Sequence, residues 1–222
     1  MDIVRYPSPT RPGDLPLLVM LPGFGIEPAE FAERGFIQAA WDMAGPLDII
    51  AARPALDGYL AGTVAEEIER KIVAPERADG RTRLWLLGLS LGGMGALLHA
   101  RSYPGVAEGV ILIAPFLGTP GTVAEIGDAG GLVLWQPGYV AGGDGERQML
   151  AWLKDFLVAM PPRPALYLGY GRTDRFAKGH ALLGERLPEG RVVRDEGGHD
   201  WATWTSLWRQ LLTLRPFSAE RR

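Results

Sequence analysis

The sequence contains no cysteine, only three histidines, and no apolar run approaching the roughly 18 residues that a bilayer-spanning helix needs. The first absence removes disulfides, thiolate nucleophiles and cysteine-type zinc sites together, so the fold must rest on packing. The scarcity of histidine makes the search for a general base short. An excess of positive charge is missing as well: 23 Lys and Arg against 26 Asp and Glu leave a net charge of −3. Neutralising a phosphate backbone requires the opposite balance, which argues against a nucleic-acid partner. Residues 1–16 carry charges and four prolines but neither the basic nor the apolar region of a secretory signal, so a cytoplasmic address is the expectation.

What is present is apolar residue in quantity, 47% of 222 residues, which suits one domain, 1–222, with a sizeable core. Short apolar runs bounded by Gly and Pro alternate with stretches of helical period, the pattern of a mostly parallel sheet wound with helices on both faces. The expected strands are Leu17 to Leu21, Leu47 to Ala52, Arg83 to Leu87, Val110 to Ala114, Ala165 to Gly169 and Arg191 to Arg194. Helices are expected from about Pro28 to Ala40, from Thr63 to Ile72 with a Thr63/Glu66 capping box, from the turn at Ser90 to Ser102, from Glu146 to Met160, from Ala177 to Leu187 and from Trp201 to Leu214. Between about 116 and 145 the chain turns glycine-rich and reads as a lid-like excursion, too short for a large cap.

Chemistry enters at Gly88-Leu89-Ser90-Leu91-Gly92, a GxSxG turn between a Leu-rich strand and a helix. A tight strand-to-helix turn there strains the backbone and lifts the Ser90 hydroxyl above the sheet edge, with a helix N-terminus beneath the developing charge. A serine hydroxyl needs a base. His99 lies nine residues along the same helix, roughly 13 Å away, and cannot reach back. His180 falls inside an expected helix and reads as a solvated surface residue. His199, in Gly197-Gly198-His199-Asp200-Trp201, stands in the last strand-to-helix loop, from which an imidazole can swing over the sheet edge.

The base needs an orienting carboxylate, and Asp174 follows a strand on the same edge, giving the chain order Ser90, Asp174, His199. Asp195 is held in reserve, and Asp200 is placed to cap the closing helix. For the oxyanion, the N–H of Leu91 follows the nucleophile, and a second donor is expected from the early loop Leu21-Pro22-Gly23-Phe24-Gly25, with Phe24 the choice. Phe116, Leu117, Trp135 and Tyr139 are the expected acyl-pocket residues. Trp201, Trp204 and Trp208 share one face of the closing helix and read as core.

From LPGFG through GLSLGG and YGRTD to GGHDW, the whole chain resembles the α/β-hydrolase superfamily, and within it the small cap-less bacterial esterases of carboxylesterase or lysophospholipase type. The resemblance implies a serine hydrolase with Ser90 as nucleophile, His199 as general base and acid, Asp174 as its orienter, and Phe24 and Leu91 as oxyanion donors. It departs from many members in carrying Pro22-Gly23 where they have His-Gly. The expected substrate is a small ester or thioester of short to medium acyl length, with no metal or organic cofactor required and no partner protein indicated. An acyltransferase, a cofactor-free perhydrolase or a non-catalytic binding module would use the same frame.

Overall fold

A computed structural model describes residues 1–10 and 15–217. Seven strands form one sheet: β1 (Asp2–Tyr6), β2 (Leu17–Leu21), β3 (Asp48–Arg53), β4 (Leu84–Leu89), β5 (Gly109–Ile113), β6 (Ala165–Gly171) and β7 (Val192–Asp195). Their order across the sheet is β1-β3-β2-β4-β5-β6-β7, with β1 antiparallel to β3 and every other pairing parallel. The helices are α1 (Glu30–Glu33), α2 (Phe36–Ala44), α3 (Leu56–Leu60), α4 (Val64–Ile68), α5 (Ala74–Ala78), α6 (Leu91–Ser102), α7 (Pro120–Asp128), α8 (Gly145–Ala159), α9 (Ala177–Gly184) and α10 (Trp201–Thr213).

The continuous apolar runs become strands because helices cover both faces of the sheet. Successive residues therefore enter different cores: Leu17, Val19 and Leu21 of β2 face one layer, Leu18 and Met20 the other. The same division holds in β4, where Leu84 and Leu86 pack with α4, α6 and α8 while Trp85, Leu87 and Leu89 pack with α2 and α10. Within the second layer Trp208 is fully buried, stacks on Phe36 at 5.8 Å between ring centroids and donates its Nε1–H to the Phe36 carbonyl at 2.9 Å. Trp204 and Trp208 are thus core residues, and Trp201 packs at the edge of the same cluster.

Several expected boundaries move. The single helix from Pro28 to Ala40 is divided into α1 and α2 at Gly35, whose φ of 76° suits glycine and interrupts the helical path. Thr63 does precede α4, but its side chain makes no cap hydrogen bond, so no capping box forms with Glu66. The helix then runs through a π turn, Glu69–Val73, into α5. β1 was not expected; it is a short, mostly exposed edge strand, Asp-Ile-Val-Arg-Tyr, held by its antiparallel pairing with β3. The 116–145 segment holds α7 and otherwise loops, with no large cap. Among the described residues no helix is long and apolar enough to cross a membrane.

Replacing Trp208 with Ala removes a buried ring and a satisfied N–H, and should lower the unfolding free energy by about 3–5 kcal/mol in urea denaturation. Val158→Ala, at an exposed position of α8, should change it by less than about 0.5 kcal/mol.

Candidate active site

Ser90 sits at the end of β4 and begins α6 with φ 52° and ψ −116°, a conformation that costs a non-glycine residue about 1–3 kcal/mol. The surroundings hold it there. Its N–H donates to the Ile113 carbonyl at 3.0 Å, and its own carbonyl accepts from Gly93 at 2.9 Å and Phe116 at 2.8 Å. The flanking glycines are required by close approach: a Cβ at Gly88 would run into the backbone of Gly93, one at Gly92 into the Leu21 carbonyl, and one at Gly93 would lie 2.6 Å from Pro115 Cβ. The first turn of α6 therefore lies directly against the ends of β2 and β4.

The structure brings Ser90, His199 and Asp174 together. Ser90 Oγ is 3.0 Å from His199 Nε2, and His199 Nδ1 is 2.7 Å from Asp174 Oδ2. Two loops make this possible. The N–H groups of Arg172 and Thr173 donate to the carbonyls of Asp195 and Gly197, at 2.7 and 3.2 Å, tying the segment carrying Asp174 to the one carrying His199. Gly171 has no room for a side chain beneath the Gly197 carbonyl, so the two loops pass at backbone distance. Asp200 caps α10 by accepting the Thr203 N–H at 2.9 Å. The reserve acid, Asp195, turns away to accept from Ser206 at 2.6 Å and Gln210 at 3.2 Å, both on α10.

Burial pushes the Asp174 carboxyl up, but its hydrogen bonds to His199 and to the Phe176 N–H outweigh this and hold it below the usual carboxylate range. A carboxylate so held accepts an N–H at Nδ1, which leaves Nε2 of a neutral imidazole free to accept the serine proton. The imidazole is fixed between two ring edges, Phe176 at 5.2 Å and Trp204 at 5.0 Å. Neither ring was assigned to the site from the sequence. Phe176 was traceable through its place two residues after Asp174, and Trp204 through its place on the first turn of α10.

The remaining expected residues separate. Gly23 lies against Ser90, where an added Cβ would be 3.1 Å from Ser90 Cβ, and Phe24 and Leu91 border one cleft of 340 Å³. Phe116 is joined to Ser90 through the backbone and meets Phe176 edge-on at 5.6 Å. Leu117 lines a second cavity, of 520 Å³, beside Phe176. Trp135 is buried in the core with its Nε1–H given to Glu125 at 2.8 Å, and Tyr139 is 92% exposed; neither borders these cavities. Among the described residues no group of three or more acidic or histidine side chains is arranged to hold a metal ion.

Searched by sequence, the chain matches no family model and no curated protein. Its three-dimensional likeness to solved structures is extensive. A ferulic acid esterase aligns over 94% of this chain and 88% of its own at a TM-score of 0.65 and 17% identity. A fluorophosphonate-binding serine hydrolase of Staphylococcus aureus aligns over 94% and 86% at 0.68 and 16%. Est1E of Butyrivibrio proteoclasticus aligns over 97% and 92% at 0.64 and 13%. The chain has the α/β-hydrolase fold.

Within this α/β-hydrolase fold the other two histidines are interior groups. His180, expected at a solvated surface, is fully buried, and its Nε2–H donates to the Pro115 carbonyl at 2.8 Å, linking α9 to the loop beside the Ser90 turn. The face of α9 that carries it looks inward onto Tyr170 and Phe176 rather than to water. His99 is likewise buried, bonded to Glu69 at 2.8 Å.

Burial lowers His180 from 6.5 to about 4 despite the nearby Asp174 carboxylate, so the unfolded chain takes up the proton first as pH falls. The stability this neutral histidine preserves is full above pH 6.5 and is lost between pH 6.5 and about 4, by about 3 kcal/mol. Urea unfolding at pH 7 and pH 4.5 should show wild type losing more of its stability over that interval than His180→Gln.

Proposed function

We propose that this protein is a serine hydrolase that cleaves carboxylic esters or thioesters of short to medium acyl length through an acyl-enzyme. The observation that carries the reading is the unbroken polar chain from Ser90 Oγ through the His199 imidazole to Asp174, at 3.0 and 2.7 Å, with the serine on a left-handed turn at a helix start. That is the arrangement needed to make a hydroxyl nucleophilic at neutral pH. The esterases and serine hydrolases sharing the fold support the same class of chemistry.

His199 Nε2 takes the Ser90 proton as Oγ attacks the ester carbonyl, and the carbonyl π electrons move onto oxygen. The oxyanion is assigned to the N–H groups of Leu91 and Phe24. Its collapse re-forms the carbonyl and breaks the bond to the leaving oxygen, or sulfur, which receives the proton from His199. Water, deprotonated by the same nitrogen, then attacks the acyl-enzyme, and the second collapse releases the acid and restores Ser90. Asp174 keeps the proton of the neutral ring on Nδ1 and stabilises the imidazolium formed in each step. The cycle uses only these side chains and the backbone. Excursion 116–145 supplies α7 instead of a cap, which favours short to medium acyl groups.

Ser90→Ala should abolish hydrolysis of p-nitrophenyl acetate and butyrate while the urea midpoint stays near that of wild type; retained turnover would exclude Ser90 as nucleophile. In Asp174→Asn, kcat should fall by about 10⁴-fold, as loss of the orienting carboxylate does in serine proteases generally.

A further inference from the structure

The 520 Å³ cavity lies between α7 and the segment that runs from Asp174 into α9. Its volume is that of a small-molecule site. Leu117, Val123, Phe176 and Leu182 give it an apolar wall, and two cations, Arg175 and Lys178, stand on the same lining. Neither cation makes an ion pair with a carboxylate among the described residues. Arg175 instead lies over the Phe176 ring at 4.9 Å. The lining contains one carboxylate, Asp128, so its balance is 2 − 1 = +1 in a chain whose net charge is −3.

One residue of this lining, Phe176, also touches the catalytic imidazole. The Phe176 ring meets the His199 imidazole edge-on at 5.2 Å and Phe116 at 5.6 Å, and Phe116 is bonded to the backbone of Ser90. For His199 to protonate the leaving atom, that atom must lie at Nε2, on the imidazole that Phe176 touches. The oxyanion side, at Gly23, Phe24 and Leu91, borders the other cleft. Phe176 is thus shared between the catalytic imidazole and a cavity whose lining also holds Leu117, Val123 and the two cations.

Resting on the serine-hydrolase reading above, we propose that this cavity is the leaving-group subsite, and that it selects esters whose alcohol or thiol portion is apolar and ends in a carboxylate, held by Lys178 and Arg175. Phe176 joins the two, lining the cavity and touching the His199 ring. Arg175 and Lys178 are both solvent-exposed, so the attraction is modest, and the preference for a carboxylate over a neutral end amounts to about two- to fivefold in kcat/KM, declining as salt is added.

The test compares three acetates with the same acyl group: 3-(4-acetoxyphenyl)propanoate, its methyl ester and the analogue ending in trimethylammonium. Wild type should rank them carboxylate first, methyl ester second and ammonium last. Lys178→Glu and Arg175→Glu should each flatten or reverse the ranking, and Lys178→Arg should restore it. Equal rates for carboxylate and methyl ester in wild type, or a ranking untouched by Lys178→Glu, would overturn the subsite. Ratios within each variant are read, so a general loss of rate does not affect the result. If no acetate is hydrolysed at all, the serine-hydrolase reading fails separately. Calorimetric titration with 3-(4-hydroxyphenyl)propanoate then decides the subsite alone: binding weakened about two- to fivefold by Lys178→Glu sustains it, and no binding, or equal binding, overturns it.

Discussion

How closely the start of α6 can approach the carboxyl edge of the sheet is the constraint on which the rest depends. Gly88, Gly92 and Gly93 have backbone or Pro115 where a side chain would be, so the helix begins at the level of the strand ends. Ser90 is the residue left between them, in a conformation an L-residue avoids, and two backbone hydrogen bonds to β5 and its following loop, with a third from Gly93 in the first turn of α6, keep it there. Strain at this one position is sustained by the buried strands β2, β4 and β5 on which it rests. Loosening any of those contacts would let the turn relax and withdraw the hydroxyl.

The second half of the site is arranged by a different device. Asp174 and His199 come from adjacent parallel strands at the sheet edge, and their loops are joined by backbone hydrogen bonds from Arg172 and Thr173 to Asp195 and Gly197. Asp200 then starts α10 immediately after His199, so the imidazole is positioned by a cap on one side and by Phe176 and Trp204 on its edges. Electrostatics follows the geometry: a carboxylate buried but doubly hydrogen-bonded remains charged, and a charged Asp174 fixes the ring's tautomer.

Much of this was legible in the sequence because its signals are local. Parallel strands covered on both faces must be apolar throughout, and β2, β4 and β5 announce themselves by that; the Gly-x-Ser-x-Gly spacing follows from the same close approach. With three histidines, reach along the chain alone separates His199 from His99. What stayed hidden depends on contacts the sequence does not display. β1 has no pattern of its own and exists through β3. His180 reads as polar on a helix, and only the packing of α9 against Tyr170 and Phe176 turns it inward. Trp135 and Tyr139 are similar in composition terms, yet one fills the core and the other stands in water. Thr63 precedes α4 at φ −105° and ψ 8° and its side chain makes no cap hydrogen bond, which residue type alone does not reveal.

On the proposed reading, the turn and its two partners make one serine hydroxyl, out of five in the chain, unusually reactive. Treatment of the native protein with a fluorophosphonate, followed by intact-mass measurement and mapping of the modified peptide, tests it most directly. A single adduct is expected on Ser90, absent when the protein is unfolded in urea before treatment. No adduct, or one on any other residue, would contradict it.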